Sequence, residues 1–534
     1  MSQFFLNTWT FSIVASTVFA ATIAIGFHWI SQKEKKQTLW VDPSKPFFKL
    51  TNTDAYKGEH SKMLATVSNN PIQNVQCYFS SRLGSKGEEE SVVFVGLQVI
   101  LETLKNTRIT KEEVDRLETL YKRGAGLGSF NRKPWDFVVK ECVGILPIEI
   151  FALPEGTLVP RGVPLFKIQS TRPEFAPAVG YLEPLLSQVW FSLTVATKCH
   201  ELKKSFDIYT EKTGANPEHS MFMLHDFGVR GTSSMQSAET GGLAQLCIFR
   251  GTDNVPAIDA VDTFYGMENS VEESPGCSVN ATEHSVMTIN GPDGEYVGLQ
   301  KLLDMYSVGI LSIVIDSYNQ TQFVDVITSP HFSDIIMKRR GKIVLRPDSG
   351  VLNDVLRMIL QTFQKNLSSY MTKNEKGFLV LPPGYGIIFG DGLDKYKMIA
   401  LLEIMLQEGF SVENIIFGAG GALLQKGLDE HGLNRDTLRC SFKLCAYQDL
   451  DETWHKVYKD PSAAKSVKGE SKASLKGRQK VIFCEKENRL ISFCEDDCSL
   501  EQSNSPDEMR LVYREGELFN RMSFDEVRRN IQKA

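Results

Sequence analysis

The sequence lacks an excess of positive charge and lacks the cysteine spacing of a metal site. With 59 Lys and Arg residues against 65 Asp and Glu residues, the 534-residue chain carries a net charge of −6. No basic face is therefore expected, which argues against a protein that binds nucleic acid. The ten cysteines form no CxxC pair and have no partnering histidine pair. We therefore predict no protein-built metal site, and reduced thiols in a cytosol-facing protein.

Short apolar runs between about residues 225 and 445 end repeatedly in charged or glycine residues. The residues that follow these runs are Asp253, Asp316, Arg346-Pro347-Asp348, Gly390-Asp391-Gly392 and Gly418. The runs alternate with helical patterns, as expected for parallel strands that are buried on both faces. An α/β barrel has its active site at the carboxyl ends of its strands. The sequence therefore predicts an enzyme with an irregular TIM-like α/β barrel.

The sequence pattern outside this region predicts a second domain. Residues 49–215 combine helical periodicity, for example over residues 88–104, with short antiparallel strands over residues 146–168. We predict an N-terminal α+β domain there and an α/β-barrel catalytic domain at residues 216–445. A C-terminal segment at residues 446–534 would carry a charged loop and pack on both domains. The second domain would therefore be discontinuous in sequence.

Seven short motifs follow one another in a specific order. They are HDFGVRG (225–231), GTD (251–253), EHS (283–285), DSY (316–318), RPDSG (346–350), GDG (390–392) and FGAGG (417–421). From about Leu50 to Asn530, the chain resembles the nicotinamide phosphoribosyltransferase family of type II phosphoribosyltransferases. The resemblance implies that nicotinamide and phosphoribosyl pyrophosphate give nicotinamide mononucleotide and pyrophosphate, a step of NAD salvage. It also implies Mg²⁺ acting with pyrophosphate or ATP, ATP as a co-substrate, and a homodimer with active sites at the subunit interface.

The resemblance implies that two aromatic residues and a carboxylate bind the pyridine carboxamide. Phe227 would stack on one face of the ring, and Tyr56 of a second subunit on the other. Asp253 would accept a hydrogen bond from the carboxamide and repel the carboxylate of nicotinic acid. The alternative, purely structural roles are a core position for Phe227, a surface position for Tyr56 and a helix N-cap for Asp253.

The predicted catalytic residues surround a histidine. His284, preceded by Glu283, matches the histidine through whose phosphorylation the family couples ATP hydrolysis to synthesis. A neutral imidazole is a competent nucleophile near pH 7. Asp316 matches a carboxylate near that histidine and the ribose hydroxyls, and Asp348 matches the residue near the reacting ribose. Loop capping is the alternative role for both aspartates.

Basic and glycine residues are expected to hold the phosphates and the ribose. Guanidinium groups bind phosphate oxygens in a bidentate manner, and glycine lets backbone N–H groups approach a phosphate. The phosphate-holding positions that the resemblance implies are Arg82, Arg230, Arg346, Arg435, Lys443, Lys459 and Lys472. The positions for the nucleotide 5′-phosphate and ribose are Gly390, Asp391, Gly420 and Gly421. Pro347, between Arg346 and Asp348, is counted with the substrate-binding residues.

Two other functions stay open. A nicotinate phosphoribosyltransferase would bind the acid instead of the amide, which Asp253 opposes. A catalytically inactive, membrane-tethered binding protein would lack one of His284, Arg346, Asp348 or the glycine loops, and the sequence contains all of them.

The first 32 residues contain no charged side chain. Within them, residues 11–30 are about as long as a helix that crosses the core of a bilayer. Lysines flank only the carboxyl end, at residues 33–36, and the positive-inside rule then places the main body in the cytoplasm. We expect residues 1–32 to form a single-pass membrane anchor and residues 33–48 a linker. The alternatives are an organelle-targeting segment and a soluble cytoplasmic protein.

Two glycosylation sequons, at Asn280 and Asn319, agree with that orientation, because both lie beside predicted active-site residues that a glycan would block. Deletion of residues 1–32 is therefore expected to release a soluble, active dimer, whereas the full-length protein should resist carbonate extraction from membranes. A glycan on Asn280 would contradict this orientation, as would a body that withstands protease added on the cytoplasmic side of sealed membranes.

Overall fold

The structure is a computed structural model. It describes residues 49–83, 90–123, 126–268, 273–428, 432–461, 473–497 and 504–533. The predicted anchor at residues 1–32, the predicted linker and Lys472 lie outside these ranges. Within them, no helix is both long and apolar enough to cross a bilayer.

Strands and helices alternate along most of the described chain. The strands are β1 (Asn74–Ser81), β2 (Ser91–Val93), β3 (Ile148–Ala152), β4 (Leu158–Pro160), β5 (Pro164–Ser170), β6 (Leu224–Asp226), β7 (Gly251–Thr252), β8 (Asn280–Ala281), β9 (Leu311–Val314), β10 (Ile343–Arg346), β11 (Thr372–Lys373), β12 (Leu379–Val380), β13 (Tyr385–Phe389), β14 (Ile415–Ala419), β15 (Cys440–Gln448), β16 (Trp454–Lys456), β17 (Gln479–Cys484), β18 (Arg489–Cys494), β19 (Arg510–Arg514) and β20 (Glu517–Leu518). The α-helices span His60–Val67, Leu97–Lys105, Lys111–Lys122, Lys133–Glu141, Glu183–Leu186, Val189–Thr213, Met235–Leu246, Val255–Phe264, His284–Thr288, Glu295–Met305, Gln320–Ile327, Pro330–Lys338, Leu352–Leu367, Lys395–Gln407, Gly421–Lys426 and Phe524–Lys533.

A parallel sheet occupies the middle of the chain. Its order is β7-β6-β14-β13-β10-β9-β8, and every neighbouring pair is parallel. An isolated parallel bridge between Gly251 and Cys277 connects β7 to the segment that precedes β8. The sheet is a half-barrel within a mixed α/β fold, which confirms the predicted α/β class, with a half-barrel where we predicted a TIM-like barrel.

The burial of the central strands of this sheet explains why they could be recognised in the sequence. All residues of β9 and β13, and the first three of β10, are buried. Helices such as Leu352–Leu367 and Lys395–Gln407 cover the sheet with their buried faces. A strand enclosed on both faces has no polar face, so it appears in the sequence as an uninterrupted apolar run. Arg346, at the carboxyl end of β10, is partly exposed.

An antiparallel sheet joins the two ends of the described chain. Its order is β16-β15-β1-β5-β3-β19-β20, so strands from before and after the parallel sheet lie side by side. The rings of Phe79 in β1 and Phe166 in β5 stack with their centroids 5.1 Å apart and form part of its core. The domain boundary that we placed at residue 445 falls inside β15, which pairs with β1.

The short strands predicted over residues 146–168 are present as β3, β4 and β5. The helix predicted over residues 88–104 is wrong for residues 90–96, because β2 precedes a helix that begins at Leu97. β2 pairs with β4 and its two valines are buried, so tertiary contacts there override a helical pattern.

The strand character that we assigned to the run before Asp253 is also largely wrong. Gln245 and Leu246 end the helix Met235–Leu246, and β7 contains only Gly251 and Thr252. Phe249 is fully buried between these elements. The run is apolar because it is buried. Periodicity alone cannot distinguish a short buried strand from the buried end of a helix.

Candidate active site

A cavity of about 910 Å³ opens at the carboxyl ends of the parallel strands. Ten of the predicted site residues line it: Phe227, Arg230, Glu283, His284, Arg346, Asp348, Gly390, Asp391, Gly420 and Gly421. Pro347 is buried between two of them. The strand ends thus bring together side chains that are nearly 200 residues apart in the sequence.

A second, mostly apolar cavity of about 340 Å³ adjoins the first and extends into the half-barrel. Phe227 and Arg346 belong to the walls of both cavities. Asp253 and His225 line the second one. Burial lowers the pKa of His225, with Asp253 acting in the opposite direction. This wall therefore offers a carboxylate and an aromatic face beside a largely apolar space.

The ring of Phe227 lies directly against the backbone of β14. Its backbone N–H donates to the carbonyl of Ala419 at 2.9 Å. A Cβ atom added to Gly418 would lie 1.9 Å from the Phe227 ring, and one added to Gly390 would lie 3.2 Å from it. Real Cβ atoms do not approach so closely as the first distance, so the absent side chain of Gly418 determines where the aromatic ring lies.

Asp253 follows β7 and is exposed. Its Oδ1 atom accepts a hydrogen bond from the Ser278 hydroxyl at 2.5 Å, and its backbone N–H donates to the carbonyl of Asp226 at 2.9 Å. The other carboxylate oxygen has no hydrogen-bond partner in the described part of the chain. Ser278 is not among the residues predicted from the sequence, where its only signal is a polar side chain shortly before the EHS motif.

His284 and Asp316 form a hydrogen-bonded pair. The Nε2 atom of His284 lies 3.1 Å from Oδ1 of Asp316. The side chain of Asp316, just beyond β9, is only 6% exposed, whereas that of His284 is 46% exposed. The neighbouring carboxylate of Glu283 accepts a hydrogen bond from the Ser285 hydroxyl. A buried carboxylate thus orients an accessible imidazole at the edge of the cavity.

Arg346 connects two of the strand ends. Its Nη2 atom donates to the carbonyl of Thr282 at 2.8 Å, which fixes the segment that leads to Glu283 and His284. Its Nε atom is buried and has no hydrogen-bond partner among the described residues. The wall shared by both cavities thus contains an unsatisfied cationic donor, which is a feature suited to an anion.

Of the other predicted residues, three lie in β1 or β15 or next to them, one follows β16, and Tyr56 lies in the turn Ala55–Gly58 before the first helix. Arg82 follows β1, Arg435 precedes β15, and Lys443 is within β15. Tyr56 is 59% exposed, and Lys459 follows β16, with its backbone bonded to Ser474. In the part of the single chain that the structure describes, none of the five lines either cavity.

The basic residues of this second group affect one another. Partial desolvation lowers the pKa of Lys443, and the positive charges of Arg435 and Arg82 lower it further, while Glu183 raises it. These three cations therefore lie close enough to repel one another. They form a region that would be stabilised by an anion.

The cavity carboxylates do not form a metal site of their own. Across the described ranges, no group of three or more His, Cys, Asp and Glu side chains is placed to hold an ion. Glu283, Asp348 and Asp391 nevertheless provide oxygen atoms on the cavity wall. Mg²⁺ in such sites is held by one or two carboxylates together with substrate phosphates and water, so these residues fit a Mg²⁺ ion that arrives with its phosphate ligand.

Known proteins resemble this chain over most of its length. The profile of the nicotinamide phosphoribosyltransferase N-terminal domain matches residues 49–150. A nicotinamide phosphoribosyltransferase of Xanthomonas campestris pv. campestris is 31% identical over 488 residues, which cover 91% of this chain and 98% of the relative. One of Acinetobacter baylyi is 28% identical over 512 residues, covering 90% and 96%.

A solved structure supports the fold independently. The crystal structure of nicotinate-nucleotide pyrophosphorylase from Pyrococcus furiosus superposes with a TM-score of 0.53, covering 90% of this chain and 93% of that one at 14% identity. At such low identity, the likeness establishes the fold alone. The profile of the nicotinate phosphoribosyltransferase (NAPRTase) family matches residues 222–517, which contain the whole parallel sheet and all residues that line the larger cavity. On this match and the 31% identity to the Xanthomonas relative, the chain belongs to that family.

Proposed function

We propose that the protein transfers the phosphoribosyl group of phosphoribosyl pyrophosphate to nicotinamide and so serves NAD salvage. The observation that carries this proposal is the shared wall of the two cavities. It combines the Phe227 ring, the unsatisfied Nε atom of Arg346 and the nearby carboxylate of Asp253. A flat amide and a phosphorylated sugar would each find a complementary partner there.

Asp253 favours the amide over the acid. Its unpaired oxygen can accept a hydrogen bond from a carboxamide N–H, whereas a nicotinate carboxylate would be repelled by the like charge. The matching relatives from Xanthomonas and Acinetobacter are both named for nicotinamide. Nicotinate is the second candidate substrate, because the family profile that spans the catalytic region is described for nicotinate.

The chemistry consists of one bond exchange at the ribose. The bond from C1′ to the pyrophosphate oxygen breaks, and the pyridine nitrogen of nicotinamide forms a bond to C1′. Positive charge develops on the ribose in between, so positioned carboxylates such as Asp348 and Asp316 would stabilise it. Phe227 would hold the ring so that its nitrogen faces C1′.

The phosphates are assigned to cations and glycine loops. Arg346 and Arg230 would bind the departing pyrophosphate, and the loops at Gly390-Asp391 and Gly420-Gly421 would bind the 5′-phosphate and ribose. When bound, Mg²⁺ would neutralise part of the pyrophosphate charge. Glu283, Asp348 or Asp391 would be its protein ligands.

His284 is proposed to couple ATP hydrolysis to this reaction by accepting a phosphoryl group. The supporting observation is its accessible imidazole, hydrogen-bonded to the buried carboxylate of Asp316 at 3.1 Å. That hydrogen bond would fix the ring orientation and stabilise a proton on the imidazole.

The active site is proposed to need two copies of the chain. Tyr56, Arg82, Arg435 and Lys443 lie outside both cavities of one copy. In a two-fold dimer, each copy would provide these residues to the cavity of the other. Lys459 and Lys472 would contribute in the same way.

The uncharged N-terminal segment is proposed to anchor this enzyme in a membrane with its catalytic body in the cytoplasm. The support is the length of the apolar segment and the lysines that follow it.

Replacement of Gly418 by Ala is expected to raise the KM for nicotinamide by about tenfold, because overpacking typically costs ~1–3 kcal/mol. The new methyl group would displace the Phe227 ring, from which it would lie 1.9 Å. The KM for phosphoribosyl pyrophosphate should change much less. Gly298→Ala adds a methyl group in open space and serves as the control. An unchanged KM for nicotinamide in a folded Gly418→Ala variant would exclude the proposed role of Phe227.

The function itself is tested by turnover of nicotinamide and nicotinic acid, each with phosphoribosyl pyrophosphate. The parent protein should prefer the amide, and Asp253→Asn should reduce the ratio of amide to acid turnover by about tenfold, because the like-charge repulsion is removed. Asp259→Asn serves as the control, because it makes the same charge change in the helix Val255–Phe264, which follows Asp253. Identical ratios in the Asp253→Asn variant and the parent would remove Asp253 from this role, and a parent that uses only the acid would refute the proposed substrate.

Replacement of His284 by Ala is expected to abolish ATP hydrolysis, since no imidazole remains to be phosphorylated. Phosphoribosyl transfer without ATP should fall by roughly tenfold and remain measurable, because it depends mainly on positioning. His331→Ala, on the exposed start of the helix Pro330–Lys338, controls for loss of an imidazole. ATP turnover at the parental rate in His284→Ala would rule out the phosphohistidine.

A further inference from the structure

A buried carboxylate and a buried amide are bonded to each other beneath the ring-binding wall. The side chains of Asp226 and Asn254 are both fully buried. Oδ1 of Asp226 accepts from the backbone N–H of Gly228 at 2.7 Å, and Oδ2 accepts from Nδ2 of Asn254 at 2.8 Å. The same Nδ2 atom donates to the carbonyl of Ala238 at 2.9 Å, and Oδ1 of Asn254 accepts from the N–H of Ala257 at 3.1 Å. All the principal polar atoms of the pair are therefore satisfied.

The pair connects the two loops that carry the proposed ring contacts. Phe227 lies between Asp226 and Gly228 in the sequence, inside the turn that the Asp226 carboxylate closes. Asp253 immediately precedes Asn254, and its backbone N–H donates to the carbonyl of Asp226 at 2.9 Å. One side-chain bond and one backbone bond thus fix the loop after β6 relative to the loop after β7.

The surroundings leave no space for the pair to relax. A Cβ atom added to Gly242, in the covering helix Met235–Leu246, would lie 2.4 Å from Nδ2 of Asn254 and 3.0 Å from Oδ2 of Asp226. A water molecule cannot enter at such distances to replace a lost partner. A change in either side chain must therefore be transmitted to the backbone of the two loops.

A carboxylate at this position carries an energetic cost that an ordinary structural residue would avoid. Burial raises the pKa of Asp226 to about 6, although the hydrogen bonds from Asn254 and Gly228 act against this. A carboxylate here can accept from two N–H donors at once, whereas an asparagine offers one acceptor and one donor. The geometry of both loops therefore requires the acid.

We propose that Asp226 and Asn254 are positioning residues that set the relative placement of Phe227 and Asp253, and through it the recognition of the pyridine carboxamide. This inference rests on the proposed function. The pair touches no substrate itself. It acts by holding the aromatic face and the amide acceptor at the separation that one flat ring and its carboxamide require.

The test is Asp226→Asn in the full-length protein. One of the two N–H donors would then face an amide NH₂ group, and the loops should shift to separate them. We expect the KM for nicotinamide to rise by about tenfold and the ratio of amide to acid turnover to fall. The KM for phosphoribosyl pyrophosphate should change by less than about twofold. The thermal stabilisation by nicotinamide should decrease, while that by phosphoribosyl pyrophosphate should persist.

Glu155→Gln provides a matched control. The Glu155 carboxylate is also buried, and it accepts from the N–H groups of Gly96 at 2.9 Å and Gln98 at 2.7 Å and from the Tyr265 hydroxyl at 2.5 Å. Burial raises its pKa as well. Since it lies in the turn between β3 and β4, its amide variant should lose stability without a selective change in the KM for nicotinamide. Equal KM changes for both substrates in Asp226→Asn, or the pattern of Glu155→Gln, would overturn the proposal.

A second variant decides the question if Asp226→Asn does not fold. In Asp226→Asn/Asn254→Asp the donor and acceptor exchange places, so the bond between the pair can form again while the carbonyl of Ala238 loses its donor. A folded double variant whose KM for nicotinamide rises several-fold more than its KM for phosphoribosyl pyrophosphate would support the positioning role, because the bond is restored in altered geometry, and equal changes in both KM values would overturn it. Failure of both variants to fold would overturn it, because the pair would then stabilise the fold instead of the ring site. A parent without nicotinamide turnover would refute the proposed function separately.

Discussion

The candidate site depends on the parallel pairing of β6 with β14. In this register Leu224 is opposite Phe417, His225 opposite Gly418 and Asp226 opposite Ala419. The N–H of Phe227 continues the ladder to the carbonyl of Ala419, and its ring therefore lies against Gly418, where there is no side chain. A slip by one residue would place the ring against a larger neighbour and exchange the inward and outward faces of β6. The aromatic contact, the glycine loop and the buried aspartate all follow from this one register.

The sequence predicted the parts of this arrangement that depend on enclosure. A strand that is covered on both faces must be apolar throughout, and the chain must become polar or small where it leaves the sheet. For β9, β10, β13 and β14 both features are visible in the sequence, so the points where the apolar runs end identified Asp316, Arg346, Gly390 and Gly418 together. β7 contains two residues, too few to show any periodicity. The apolar run that indicated Asp253 is mostly a buried helix end and the segment after it, so that residue was identified through a wrong strand assignment.

Contacts between distant segments could not be predicted in the same way. β1 pairs with β15 across more than 350 residues, and neither strand specifies its partner, because antiparallel register depends on packing against a shared core. The contact between Ser278 and Asp253 could not be predicted for the same reason. The Ser278 hydroxyl reaches Asp253 at 2.5 Å since the bridge between Gly251 and Cys277 brings its segment beside β7. The role of Asp226 likewise depends on a covering helix whose glycine permits close approach.

The two sheets divide the proposed binding work by charge. The parallel sheet provides an aromatic ring, carboxylates and one unsatisfied guanidinium donor, whereas the antiparallel sheet gathers Arg82, Arg435 and Lys443. Such a cluster of cations is destabilised by its own repulsion. Burial is the main cause of the lowered pKa of Lys443, and repulsion by Arg435 and Arg82 lowers it further. An anion of high charge, such as pyrophosphate, would relieve that repulsion on binding. In the proposed dimer, where the cations of one copy face the cavity of the other, this relief would act at the subunit interface. Assembly of the two copies would bring the cations to the cavity, and the bound anion would reduce the repulsion between them. Binding of the phosphorylated substrate and assembly of the dimer would then stabilise each other.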